Sequence, residues 1–162
     1  MIGRDTTVQL VPCCRPRWWG FSREAGEFKG QDMSRISRYY IAAAAAYLVA
    51  GLCLGLGMGI TENFQFIAVH AHINLVGWAS LCLYGLVLQA FPELRASKLA
   101  PWQFAVANLG AILFLPGVAL AVAQVTPVLA IIGALIWLCG ALLFLVMCIG
   151  LAWRDPERGA ST

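Results

Sequence analysis

The sequence predicts an all-α membrane protein, a bundle of four antiparallel transmembrane helices, and three observations carry that reading. The 162 residues are 60% hydrophobic and only 12% charged, whereas a water-soluble chain runs nearer half apolar and about a quarter charged. Four long stretches contain no Asp, Glu, Lys or Arg. All eleven Lys and Arg residues fall before the first stretch, between the second and third, or after the fourth. A chain this apolar cannot hide its surface from water, so the ordinary soluble domain is excluded. The net charge of +3 is modest. Its cations border apolar spans, which is not the footprint of nucleic-acid binding.

Taken in order, residues 1–37 are expected to form a disordered cytoplasmic tail. The segment mixes charges with Trp18, Trp19, Cys13 and Cys14 and has no apolar centre of the kind a secretory signal needs. Met33, followed by Ser34-Arg35-Ile36-Ser37-Arg38 and the first span, is a natural start in its own right. A start-site artefact and a disordered tail are therefore both open for residues 1–32. The transmembrane domain covers residues 38–153, with spans at about 41–60, 66–91, 102–123 and 127–153. Each is long enough for a hydrocarbon core of about 30 Å, which takes roughly 20 helical residues. Charge-free runs of this length also exclude the alternating pattern of a barrel. Connections at Thr61 to Gln65, Pro92 to Pro101 and Gln124 to Thr126 are short, which forces neighbours to run antiparallel. Residues 154–162 form a second short tail.

Charge sets the orientation. Arg95 and Lys98 lie between the second and third spans, and the remaining cations lie in the two terminal segments. The opposite loops carry only Glu62. The positive-inside rule then predicts both termini in the cytoplasm, and a bacterial inner membrane is the expected location. Tyr39, Tyr40, Trp102 and Trp153 fall at the cytoplasmic interface, where aromatic belts sit.

Within the spans, Gly51, Gly55 and Gly59 recur every four residues in the first. Small residues at that spacing let a helix or a flat cofactor approach the backbone, helix packing being the plainer reading. Pro116 in the third span is expected to kink it. Cys53, Cys82, Cys139 and Cys148 read as packing side chains. There is no Cys-x-x-Cys-His and no zinc-type ligand spacing.

The chemistry concentrates at the start of the second span, Val69-His70-Ala71-His72-Ile73-Asn74-Leu75-Val76-Gly77-Trp78, which holds the only two histidines of the protein. Ionisable groups inside a membrane are costly and mark function by default. Residues two apart on a helix point about 200° from one another. His70 therefore shares a side with Asn74 and Gly77, His72 with Ala68 and Ala79, and the two histidines face different partners. Simple hydrogen bonding between helices is the competing reading. With no Asp or Glu in any span, the carboxylates expected of a proton-coupled transporter are missing.

His72-Ile73-Asn74-Leu75, then Gly85 and Phe91-Pro92-Glu93, resemble the second transmembrane helix of haem-copper oxidase subunit I, especially its nitric oxide reductase and cbb3-type branches. The fuller His-x-His-x-Asn-Leu-x-Gly-Trp also resembles short proteins described as subunit I-like. The resemblance covers about thirty residues. It implies that His72 is an axial ligand of a low-spin haem b and that the role is electron transfer or an accessory part in a respiratory complex. It does not carry over oxidase activity, because no histidine follows His72 and the oxygen-reducing centre needs several. On the same reading the cofactor-binding set is His72, His70, Met58, Asn74, Gly77 and Trp78. Met58, or a histidine of a second copy, would be the second axial ligand, and Trp78 and Tyr84 could flank the porphyrin. Asn63, Gln65, Gln124 and Thr126 stand in for the missing Arg or Lys at the propionates. Copper held by His70, His72 and Met58 across two copies is the lesser metal alternative. The partners implied are lipid together with further copies of the chain or a respiratory complex. The alternative function is a non-catalytic interaction or assembly protein whose histidines only bridge helices.

Overall fold

The computed structural model describes residues 33–153; residues 1–32 of the expected 1–37 tail, and the tail at 154–162, fall outside the described residues, whereas Arg35 to Ser37 of that first tail are helical. Helix α1 runs Arg35–Thr61. The second span, Ile67–Ala90, is continuous but changes character along its length: α2 at Ile67–His72, a π-helical turn at Ile73–Ser80, and α3 at Leu81–Ala90. A short helix α4, Pro92–Arg95, occupies the connection, followed by α5 at Ala100–Val122 and α6 at Val128–Ala152. No strand occurs among the described residues. The four long helices have 27, 24, 23 and 25 residues and are apolar enough to cross a membrane, so the chain is a multi-pass membrane protein with an all-α four-helix fold.

Three of the four spans lie within about a residue or two of the charge-free stretches. The first starts six residues earlier, and the cause is local. Ser34 caps α1, its hydroxyl accepting from Ser37 N at 3.1 Å, so the helix is nucleated inside the basic segment and carries Arg35 and Arg38 in its first turns. Ser34 N also donates to Gln89 Oε1 at 3.1 Å, tying the start of α1 to the end of α3. At its other end α1 stops at Glu62, which takes the left-handed conformation with φ 52°. Pro92 sits in the first turn of α4, where a missing N–H costs nothing. Pro116 lies inside α5, and the helix continues through it.

The helices pair as two antiparallel hairpins, α1 with the second span and α5 with α6, and the hairpins meet along a narrower seam. In the second hairpin the backbones themselves touch. A Cβ placed at Gly117 would stand 2.3 Å from Ala130 N, one at Gly133 2.3 Å from Phe114 N, one at Gly110 2.6 Å from Trp137 N, and one at Gly140 3.0 Å from the Ala107 backbone. Each step of seven residues up α5 is matched by a step of seven down α6, which is the spacing that keeps one seam in register along two helices.

The densest core lies at the basic end, where Tyr40, Leu81, Leu88, Leu94, Ala100, Ala107 and Met147 are buried together. Tyr40 stands edge-on to Phe104 at 4.7 Å, and its hydroxyl donates to Gln103 Oε1. Tyr84 belongs to the same cluster, packed on Phe144 at 4.5 Å. The outward faces, among them Leu52, Leu56 and Ile60 of α1 and Leu135, Leu138 and Leu142 of α6, are left exposed. Lipid is as apolar as these side chains, so a membrane imposes no penalty for that exposure.

Candidate histidine site

Both histidines lie in α2, just inside the end of the bundle that holds the Glu62 loop. At 1.5 Å per residue they are roughly 4–8 Å along the axis from Ile67. The register of the first hairpin decides what each one meets. Gly55 faces His70, Gly51 faces Asn74, Gly77 faces Tyr47 and Gly85 faces Tyr40. Two of the three glycines singled out in the first span are thus used to admit the polar side chains of the second. Gly59 has nothing within 4 Å of its Cβ position and takes no part.

His70 is engaged on both ring nitrogens. Nδ1 lies 2.9 Å from Gly51 O, and Nε2 lies 3.3 Å from Asn74 Nδ2. A carbonyl oxygen can only accept, so Nδ1 carries the proton and Nε2 receives from the amide. Asn74 uses its other amide hydrogen on His70 O at 2.9 Å. Its side chain is thereby inserted at a backbone carbonyl just where the helix widens into the π turn. Insertion of this kind is a recognised cause of a break in the regular ladder. The expected grouping of His70 with Asn74 on one side is observed, and it forms a bridge from the second span to α1.

His72 points the other way, toward α5. Its ring meets Phe114 edge to face, with centroids 5.2 Å apart and planes at 78°. Nδ1 lies 2.7 Å from Ala68 O, one turn back on the same helix. The same reasoning makes Nδ1 the donor, and in the neutral imidazole the free lone pair then sits on Nε2. Among the described residues, Nε2 meets no hydrogen-bonding partner. A histidine whose Nδ1–H is fixed by a carbonyl and whose Nε2 is unprotonated has the form metal-ligating histidines take. Phe114 is held in place in turn by the second hairpin, through its backbone contact with Gly133.

The other sequence-selected residues are spread around this pair. Met58 is buried on α1, at 7% exposure. It lies about one helical turn beyond Gly55, whose Cβ position meets His70 and not His72. Gly77 is buried under Tyr47, so its bareness admits a helix neighbour. Trp78, in the π turn, is 40% exposed on the outer surface. Asn63, Gln65 and Gln124 are exposed at the same end of the bundle as the histidines, and Thr126 is half-buried there. Asn63 Oδ1 accepts from Gln65 N at 3.1 Å and Thr126 Oγ1 from Val128 N at 3.3 Å. No three His, Cys, Asp or Glu side chains converge among the described residues.

Sequence reasoning did not find the π turn or Phe114. Nothing in the apolar run Ile73–Ser80 marks a change of helical period except Asn74. Phe114 becomes visible only once α5 is docked. Compared with family models, curated proteins and solved structures, the chain matches none.

Proposed function

We infer that the protein binds haem b in the membrane, with His72 as an axial ligand, and serves electron transfer or an accessory role in a respiratory complex. The observation that supports this most is the asymmetry between the two histidines. His70 is spent on both nitrogens, whereas His72 is oriented by Ala68 O and keeps a free lone pair in a setting where an unmet polar atom is costly. When bound, haem supplies one-electron chemistry whose potential follows its axial ligands and surroundings. The chain's own contribution is to orient His72, to wall it with Phe114, and to hold the span against α1 through His70 and Asn74. The chain has too few histidines to build an oxygen-reducing metal centre by itself.

The membrane is taken to be the bacterial inner membrane, with both termini cytoplasmic. Among the described residues, the supporting charges are Arg35, Arg38, Arg95 and Lys98 at one end of the bundle, against Glu62 alone at the other. The histidines then lie under the outer face, within reach of a redox partner there.

The test is a reduced-minus-oxidised optical spectrum of the detergent-purified protein expressed with ample haem. A Soret band that survives His70→Ala and is lost in His72→Ala supports the reading, and a colourless wild type rejects it. A second reading has its own observation, the complete engagement of His70 between helices: an interaction or assembly protein without cofactor. It expects no pigment in any version, and weaker partner co-purification in His70→Ala.

A further inference from the structure

His72 offers one nitrogen, and a low-spin haem takes two axial ligands. Resting on the haem-binding reading above, we propose that the second ligand is His72 of a second copy of this chain, so that one haem is held between two protomers.

The candidates within the chain fail one by one. His70 has both nitrogens occupied, and its ring packs so tightly on α1 that a Cβ at Gly55 would lie 2.8 Å from its Cε1. It cannot turn to iron without abandoning the contact that joins the hairpin. Met58 is buried on α1, while His72 leaves the second span in the direction of α5. Met147 is buried in the core cluster at the opposite end of the bundle. Cys53 comes level with His72 in the hairpin register but is exposed on the far side of α1. No further histidine exists in the sequence.

A second copy removes the difficulty without a new residue. An interface with twofold symmetry brings the same side chain of each protomer to the axis. One free Nε2 per chain then becomes a matched pair, each preset by its own Ala68 carbonyl. The surface beside His72 permits approach: Ala71 and Leu75 are exposed, and Ala68 presents only a methyl group. Small side chains on a transmembrane helix are what allow a second helix to come close.

The experiment is quantification of haem against protein for the full chain in detergent, with electron paramagnetic resonance of the oxidised form and size determination in the same buffer. The proposal expects about 0.5 haem per chain, a low-spin bis-imidazole signal, and a dimeric particle. Differently tagged wild type and His72→Ala, co-expressed and isolated as the mixed pair, should lose the low-spin signal and at least tenfold of the haem content. Gly57→Ala, which meets nothing within 4 Å and leaves the proposed ligand in place, should keep the low-spin signal. A ratio near one haem per chain, or a high-spin five-coordinate signal that still depends on His72, overturns the two-copy arrangement and leaves haem binding standing. Absence of pigment from the wild type overturns both.

Discussion

The two hairpins are built on opposite principles. In α5 and α6 the helices touch through bare backbone: Gly110, Gly117 and Gly133 each stand where a methyl group would collide with main-chain atoms, and at Gly140 it would fit only tightly. In the first hairpin two of the glycines of α1 make room for side chains instead: Gly51 for Asn74 and Gly55 for His70. The first mode gains van der Waals contact along a whole seam, and its glycine contacts involve no side-chain polar atom. The second spends part of the seam on hydrogen bonds that are worth little in a membrane, about 0.6 kcal/mol on average and up to about 1.7. Ionisable groups placed inside a membrane are functional candidates by default. The polar hairpin is also the one that contains the π turn, and π turns are frequent at functional sites.

The comparison can be broken at several points. Gly133→Ala should have the largest effect, about 3 kcal/mol of destabilisation in mixed-micelle unfolding, because rigid backbone at Phe114 must give way. An unaffected unfolding midpoint would show that the α5–α6 seam is not close-packed. The effect should extend to the site, since the displaced helix carries the ring against which His72 rests. Gly55→Ala should cost less, about 1–2 kcal/mol, because the atom it meets belongs to a side chain that can rotate. The rotation breaks the bond from His70 to Gly51, so proton exchange at His70 Nδ1, followed by nuclear magnetic resonance, should accelerate. His70→Ala should cost about 1 kcal/mol with pigment retained. Gly57→Ala meets nothing within 4 Å and should change stability by no more than about 0.5 kcal/mol, or raise it slightly by favouring the helix. A Gly57→Ala penalty as large as that of Gly55→Ala would sink the division of the glycines into packed and open.

Much of this architecture was legible from charge and hydropathy, because those patterns act along the chain. A span free of Asp, Glu, Lys and Arg has one physical reading in lipid, and short loops leave only antiparallel neighbours. The helical period also put His70 with Asn74 and away from His72. What was not legible depends on atoms of other helices. The value of Gly51 lies partly in its carbonyl, which His70 must reach across the hairpin. Gly59 has the same spacing as Gly51 and Gly55, yet among the described residues nothing lies within 4 Å of its Cβ position. Gly117 and Gly133 carry no local sign of their partners, since their spacing matters only when α5 and α6 are laid side by side. Met58 was a candidate partner of His72 on sequence, but it is buried on α1, whereas His72 turns toward Phe114 of α5. The early start of α1 came from a serine cap that hydropathy does not report.

The central claim is that the Nε2 of His72 binds iron, and chemical rescue tests it most directly. His72→Gly should purify as a folded, colourless protein, and exogenous imidazole with haem should restore a low-spin spectrum in proportion to the imidazole added. Imidazole fills the cavity left by the missing ring and supplies the missing lone pair, so recovery identifies ligation and not folding as what was lost. Contradiction would be a His72→Gly protein that keeps its wild-type spectrum without imidazole.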